Sequence, residues 1–66
     1  MIETKSTLLA MEEAQTLSIE HPGHRYRVML KPRRKAVVTG SDWVYRERIL
    51  DGWRCYTSFL DGRIEG

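Results

Sequence analysis

The chain of 66 residues is long enough for one domain, and its 11 lysines and arginines against nine acids give a formal net charge of +2. A domain of this size buries only about 60% of the surface of its unfolded chain, so its core must be small. A single cysteine excludes an internal disulfide, and no apolar run approaches the ~20 residues that span a bilayer. We therefore expect a reduced, cytoplasmic setting without membrane contact.

The charge is divided unevenly along the chain. Residues 1–23 carry one lysine against four glutamates, whereas residues 24–60 carry nine arginines and lysines against three acids. This asymmetry predicts an acidic N-terminal element followed by a basic sheet.

The N-terminal third favours one helix. Residues 1–7 are weakly patterned and predict a frayed lead-in or a short edge strand. From Leu8 to His21 the composition is helical, and one apolar stripe holds Leu8, Met11, Ala14 and Leu17. Pro22-Gly23 ends the predicted helix, because proline cannot continue it.

The next segment alternates as a half-buried strand does. In residues 24–31 the apolar Tyr26, Val28 and Leu30 are separated by arginines and Met29. Pro32-Arg33-Arg34 predicts the loop that follows, since proline has no N–H to donate within a sheet.

A second predicted strand covers residues 35–39. Pairing Val28 with Val38 keeps the apolar side chains of both strands on one face. Gly40-Ser41 then has the glycine-first pattern of a type II′ turn, which would pair Val38 with Trp43 in a third strand.

The stretch Trp43–Phe59 is predicted to be a β-hairpin closed at Leu50-Asp51-Gly52. A two-residue turn would mix apolar and charged side chains on both faces. A three-residue loop with Gly52 in the left-handed conformation instead pairs Ile49 with Trp53 and separates the two sets. Because a slip of one residue moves every side chain across the sheet, we favour the three-residue loop.

These turns assign one shared apolar face: Tyr26, Val28, Leu30, Ala36, Val38, Trp43, Tyr45, Ile49, Trp53, Cys55 and Phe59. The predicted fold is α+β, with one N-terminal helix packed on the apolar face of a four-stranded antiparallel β-meander in the order α-β-β-β-β. The domain covers residues 1–60. Residues 61–66 (DGRIEG) break the alternation and are predicted to be a flexible tail or the remnant of an engineered protease site.

The outer face of this sheet is predicted to be basic. It or its flanking loops would carry Arg25, Arg27, Lys31, Arg33, Arg34, Lys35, Arg46, Arg48 and Arg54, with Tyr56 among them. The predicted register places Lys31 opposite Lys35, Lys35 opposite Arg46 and Arg48 opposite Arg54. Like charges directly opposite one another cost up to ~1 kcal/mol per pair, so we expect an anionic partner to neutralise them. Phosphates of DNA or RNA fit this role, with Tyr56 stacking on a base. The first function hypothesis is a non-enzymatic nucleic-acid-binding module.

The alternative hypothesis is a protein-interaction module or inhibitor. A row of Met29, Val37 and Val44 on the same outer face would be exposed and apolar. Such a row ringed by positive charge suits an acidic protein partner, or a second copy in a homo-oligomer.

We expect no catalytic, metal or cofactor site. His21, His24 and Cys55 offer at most three soft ligands, whereas structural zinc takes four. Cys55 is predicted to point into the apolar face, where a thiol is inert. The chain has no phosphate-binding glycine loop, no nucleophile motif and no paired acids at an expected cleft.

Overall fold

The computed structural model describes residues 2–4 (their backbone only), 7–32 and 36–65. The element bounds are β1 Ile2–Thr4, α1 Thr7–Glu20, β2 Tyr26–Leu30, β3 Ala36–Thr39, α2 Asp42–Leu50, β4 Arg54–Leu60 and β5 Arg63–Glu65. In the described part of the chain the strands form one five-stranded sheet in the order β1-β3-β2-β4-β5, and all neighbours are antiparallel. The α+β class and the antiparallel sheet are confirmed.

The predicted meander is right for its first hairpin and wrong for its second. β2 and β3 pair with Val28 opposite Val38, as expected. The expected third strand is instead the helix α2, so the pairing of Val38 with Trp43 does not form. β1 occupies that edge and places Ile2 opposite Val38, which confirms the short N-terminal edge strand.

The start of α2 is set by Ser41. Its backbone is extended (φ −102°, ψ 126°), and its Oγ accepts a hydrogen bond of 3.3 Å from the backbone N–H of Val44. An N-cap serine satisfies an amide that would otherwise have no partner within the helix, and Asp42 adds a negative charge to the first turn. Gly40-Ser41 therefore leads into a helix and not a type II′ turn.

The end of α2 is set by Gly52. Its φ is +94°, and its N–H donates to the carbonyl of Ile49 at 3.1 Å. The N–H of Trp53 donates to the carbonyl of Arg48 at 2.9 Å, which completes the pair of bonds of a Schellman motif. The left-handed conformation of Gly52 was correctly predicted, but it closes a helix instead of a hairpin.

Helix α1 matches its expected bounds to within one residue, and Met11, Ala14 and Leu17 of its expected stripe pack in or against the core. Its buried residues are Ala10, Ala14 and Ser18, which lie four residues apart in one row. Small side chains in this row allow α1 to lie close to the sheet. Leu8, expected in the stripe, is 66% exposed.

The sheet has two apolar clusters, one on each face. Val28, Ala36, Val38 and Phe59 pack with Ala10, Ala14 and neighbouring side chains, a set drawn from the sheet and α1. Met29, Val37 and Trp53 form the second cluster, against which Tyr45 of α2 packs. Because successive strand residues point to opposite faces, α1 and α2 cover opposite sides. β3 and β4 run parallel with β2 between them, so α2 crosses β2 to connect them.

The predicted single apolar face is therefore wrong for five of its eleven members. Tyr26, Val28, Leu30, Ala36, Val38 and Phe59 do pack in or against the α1 cluster. Trp43, Tyr45 and Ile49 lie on α2, and Trp53 belongs to the second cluster.

A β-bulge in β4 displaces Cys55 from the predicted face. Val28 pairs with Thr57 and Met29 pairs with Cys55, so Tyr56 is an extra residue in β4. The bulge shifts the alternation by one residue. Cys55 is exposed, contrary to the expectation that it is buried.

Residues 61–65 belong to the fold, contrary to the flexible tail expected from residue 61. β5 pairs with β4, and the connecting Asp61 and Gly62 both have positive φ (53° and 80°), as in a type I′ turn. The turn packs on α1: the Gly62 N–H donates to Ser18 Oγ at 2.9 Å, and Gln15 Nε2 donates to the Gly62 carbonyl at 3.0 Å.

Candidate interaction surface on helix α2

Helix α2 is fastened to the sheet along one side. Tyr45 packs against the cluster of Met29, Val37 and Trp53, and the guanidinium carbon of Arg48 lies 4.9 Å from the centre of the Trp53 ring. All nine residues of α2 are described, and none is fully buried.

The first turn of α2 is held by Arg27 of β2. Its Nη1 donates to Asp42 Oδ1 at 2.8 Å, and its guanidinium carbon lies 4.1 Å from the centre of the Tyr45 ring. The hydrogen bond from Arg27, and then its charge, hold the pKa of Asp42 below its ordinary value. The Arg27 side chain is only 14% exposed, whereas that of Asp42 is 80% exposed, so water still screens the pair from the carboxylate side.

The last turn of α2 is held by Lys31. Its Nζ donates to the backbone carbonyl of Asp51 at 2.7 Å and lies 3.4 Å from Asp51 Oδ2. With the Arg27 contact at the other end, this bond sets the rotation of α2 about its own axis.

The opposite side of α2 is exposed and carries two large apolar side chains. Trp43 is 70% exposed and Leu50 is 88% exposed. They are seven residues apart, about two helical turns, and so lie on one stripe. The exposed Arg46 and Glu47 lie between them. We call these four residues the outer face of α2.

A shallow depression borders the outer face. Its volume is about 370 Å³, and Tyr45, Arg46, Ile49 and Leu50 line it. Ile49 is 42% exposed, so the apolar surface extends from the outer face toward the sheet.

The residues predicted to bind nucleic acid do not share one open sheet face. Arg27 and Lys31 bind acidic residues of α2 and its C-cap. Arg25 forms a two-point ion pair with Glu65 of β5, through Nε to Oε1 and through Nη2 to Oε2 at 3.3 Å. Hydrogen bonding to Glu65, and then the charge of Glu65, raise the pKa of Arg25 above its ordinary value.

The remaining predicted cations are separated. Arg46 and Arg48 are on α2, so the expected opposition of Arg48 and Arg54 across a hairpin is wrong. Arg54 and Tyr56 lie on β4, and Tyr56 is 57% exposed. Arg33, Arg34 and Lys35 lie outside the described residues, as do the expected contacts of Lys35 with Lys31 and Arg46.

The predicted exposed row is not a surface. Met29 and Val37 are fully buried, and Val44 is half-buried on α2. Tyr45 and Trp53 pack on Met29 and Val37 because α2 crosses this side of the sheet. The helix that covers this row exposes apolar side chains of its own, Trp43 and Leu50, on its outer face.

The soft metal ligands show no common site. His21 and His24 are exposed after α1, and the His21 ring centre is 6.2 Å from that of Tyr26. The Cys55 thiol donates to the carbonyl of Thr57 at 3.8 Å, and partial burial raises its pKa. Across residues 2–4, 7–32 and 36–65, no three His, Cys, Asp or Glu side chains are grouped to hold a metal ion.

Signals in the sequence could have located the outer face of α2. Ser41-Asp42 is a typical helix start, and Gly52 is placed as a helix-ending glycine. Between them, Trp43 and Leu50 have the seven-residue spacing of a helical stripe. In the same segment, however, Trp43, Tyr45 and Ile49 fall on odd positions and Arg46 and Arg48 on even ones, a pattern that favours a strand.

None of the described helices is long and apolar enough to cross a membrane. The chain matches no protein-family model, and no curated protein or solved structure matches it significantly.

Proposed function

We propose that the protein is a non-enzymatic protein-interaction module that binds its partner through the outer face of α2. The observation that carries this proposal is the exposure of Trp43 and Leu50 on one stripe of a helix held at both ends. Burying such a side chain yields about 1.5–3 kcal/mol, a gain that the single chain leaves unrealised.

The chemistry of the surface suits a protein partner. Tryptophan and arginine are enriched among the residues that contribute most to protein–protein affinity, and both occur here as Trp43 and Arg46. Arg27 and Lys31 hold α2 in place before binding, so little order has to be gained when a partner docks.

Photo-crosslinking tests this proposal. A benzoylphenylalanine replacing Ile49, at the edge of the outer face, should give covalent adducts in a lysate of the native host. The same residue replacing Leu8, which is 66% exposed on α1, is the matched control. We expect adducts from position 49 that disappear when Trp43→Ser is added, because the tryptophan supplies much of the apolar contact.

Adducts of equal yield from both positions would contradict the proposal, as would adducts from position 49 that persist with Trp43→Ser. Adducts whose mass equals twice that of the chain count in favour, since a second copy is also a protein partner.

Nucleic-acid binding is a second candidate, and a separate groove supports it. The groove has a volume of about 600 Å³, and its lining includes Lys31, Pro32 and Arg54. The chain continues from Pro32 into the basic run Arg33-Arg34-Lys35. Arg54 on the groove wall, and the basic run that follows Pro32 in the sequence, are of the residue types that bind a phosphate backbone.

Fluorescence anisotropy with a labelled single-stranded oligonucleotide tests the second candidate. We expect affinity to fall as salt rises from about 50 mM to about 200 mM, because bound counterions are released on binding. Arg54→Ala should weaken binding. Arg63→Ala, which removes the same charge at the other end of the β4–β5 hairpin, should leave it unchanged. Equal effects of the two variants would show that nucleic acid does not bind in this groove. No binding at low salt would exclude nucleic-acid binding altogether.

A further inference from the structure

We infer that the open edge of strand β5 (Arg63–Glu65) is a further interaction surface, and that it pairs with the β5 of a second copy of this chain. The two strands run antiparallel about a two-fold axis perpendicular to the sheet, with Ile64 opposite the partner's Ile64. This edge shares no residue with the outer face of α2, so the inference goes beyond the proposed function. It is carried by the order Arg63-Ile64-Glu65, which is complementary to itself in an antiparallel pair.

The backbone of β5 offers a donor and an acceptor to a neighbouring strand. In the described part of the chain β5 is an outermost strand of the sheet, and only its side facing β4 is paired. Leu60 and Arg63 flank a two-residue turn, so they form a hydrogen-bonded pair and the next position, Ile64, does not bond to β4. The N–H and C=O of Ile64 therefore point to the open side. Two copies of Ile64 placed opposite each other exchange both bonds.

The Ile64 side chain adds an apolar contact at the axis. It is 60% exposed, and it is paired with Phe59, which belongs to the cluster on the α1 side of the sheet. Residues directly opposite each other in an antiparallel pair share one face, and an axis perpendicular to the sheet preserves that face. The two Ile64 side chains therefore meet on the α1 side, where they bury apolar surface that the single chain exposes.

The charges of β5 match across the same axis. Arg63 and Glu65 are two residues apart in one strand, so both side chains lie on the face opposite to Ile64. With Ile64 at the axis, Arg63 lies directly opposite the partner's Glu65, and Glu65 lies opposite the partner's Arg63. Opposite charges at such positions stabilise a sheet. A register shifted by two residues would place Arg63 opposite its own copy, or Glu65 opposite its own copy, so the charges select this register.

The contacts within one chain leave both charged groups accessible. Arg63 is exposed and has no ion pair with any residue that the structure describes. Arg25 binds the Glu65 carboxylate within its own chain, but Arg25 precedes β2 and reaches Glu65 from the side of β4. The partner's Arg63 approaches from the open edge. A carboxylate has about four lone-pair sites, so it can accept from both guanidiniums at once.

The short edge predicts a weak dimer. β5 has three residues, and their contacts cover much less than the about 800 Å² that each partner buries in a standard interface. We expect a dissociation constant of about 0.1 to about 1 mM, so the chain is monomeric at micromolar concentrations.

A dilution series followed by two-dimensional NMR of the ¹⁵N-labelled chain tests the inference. The amide proton of Ile64 should move downfield as the concentration rises from about 50 µM to about 2 mM, because it gains a hydrogen bond in the dimer. The amide signals of Trp43 and Leu50 on α2 should not move.

Charge exchange on β5 supplies matched variants. Arg63→Glu leaves two acids on each edge, and Glu65→Arg leaves two arginines. Each variant alone should dimerise about tenfold more weakly than the unaltered chain, since two ion pairs become two repulsions. Labelled Arg63→Glu mixed with unlabelled Glu65→Arg should recover the shift of the Ile64 amide, because every acid then faces an arginine.

A second pair of variants does not alter the ion pairs. Ile64→Lys places two ammonium groups at the axis, and lysine on an edge strand opposes pairing. It should abolish the concentration-dependent shift of the amide at position 64. Leu8→Lys, at a side chain of α1 that is 66% exposed, should leave that shift unchanged. Each variant should keep the signal dispersion of the folded chain in dilute solution.

Three outcomes overturn the inference. The first is an Ile64 amide that does not move at any concentration in the series. The second is a shift that neither the charge exchanges nor Ile64→Lys changes. The third is a shift that Trp43→Ser abolishes, since association would then occur through α2. The crosslinks from position 49 test the proposed function separately, because they do not depend on β5.

Discussion

Arg27 lies on β2, and its guanidinium contacts both a carboxylate and an aromatic ring of α2. The ion pair with Asp42 fixes the first turn of the helix, and the contact with Tyr45 fixes its rotation. A planar guanidinium can donate to the carboxylate while it stacks on the ring, whereas a lysine ammonium cannot stack in this way. Together with Lys31 at the other end, this strand residue orients α2 on the sheet.

The pairing of Asp42 with Arg27 makes stability depend on pH. The pKa of Asp42 is lowered in the folded chain, whereas the unfolded chain titrates near ~3.9. The contribution of the pair is therefore complete above the unfolded pKa and is lost as the pH falls through the lower folded pKa.

Urea unfolding of the unaltered chain and of Asp42→Asn should show this dependence. We expect the variant to be less stable at pH 7, and the difference to shrink as the pH is lowered from about 5 toward about 2. Glu13→Gln, at an exposed position of α1, is the control for removing one acid. If the difference in unfolding free energy between the unaltered chain and Asp42→Asn grows in acid, the pair of Asp42 with Arg27 is not the source of the pH dependence.

At the scale of elements, α2 shows how capping overrides alternation. Its residues include tryptophan, valine, tyrosine and isoleucine, which favour strands, and Trp43, Tyr45 and Ile49 fall on odd positions whereas Arg46 and Arg48 fall on even ones. Ser41 satisfies an amide at one end, and Gly52 completes the Schellman bonds at the other. The capping bond of Ser41 and the two Schellman bonds form only when the residues between them are helical, so they stabilise the helix and not the predicted hairpin.

The β4–β5 turn was a strong local signal that the sequence analysis set aside. Asp-Gly between two strand-like runs is typical of a type I′ hairpin, and Asp61-Gly62 adopts that geometry. A flexible tail makes no contacts, so that interpretation of residues 61–66 excludes the hydrogen bonds of Gly62 with Gln15 and Ser18 of α1.

Alanine substitution should separate backbone strain from packing at this turn. Gly62 has φ +80°, and a Cβ there would lie 2.7 Å from Ile19 Cγ1. Gly23 has φ +85°, and a Cβ there would have no described atom within 4 Å. Both alanines should cost about 1–2 kcal/mol of unfolding free energy through the backbone. We expect Gly62→Ala to cost about 1 kcal/mol more, through the collision.

A double-mutant cycle in urea gives the control. In an Ile19→Ala background the collision is absent, so Gly62→Ala should cost no more than Gly23→Ala does. Equal costs of the two alanine substitutions in the unaltered chain would show that Gly62 does not pack closely on Ile19.

At the scale of the whole molecule, the main feature is that helices cover both faces of the sheet. α1 covers the face of Val28 and Val38, and α2 crosses β2 on the face of Met29 and Val37. A meander leaves one face to solvent, which is why the predicted fold has cations and three apolar residues on an open surface. With α2 on that face, Arg27 and Lys31 hold the helix.

The sequence by itself determined the local structure: the helix before Pro22-Gly23, the β2–β3 hairpin with Val28 opposite Val38, and the left-handed Gly52. These depend on periodicity and turn chemistry, which act over a few residues. Only the tertiary structure decided that β1 and β4 flank that hairpin, and that α2 exposes Trp43 and Leu50. Those outcomes depend on contacts between distant residues, such as Arg27 with Asp42 and Gly62 with Ser18, which no local pattern encodes.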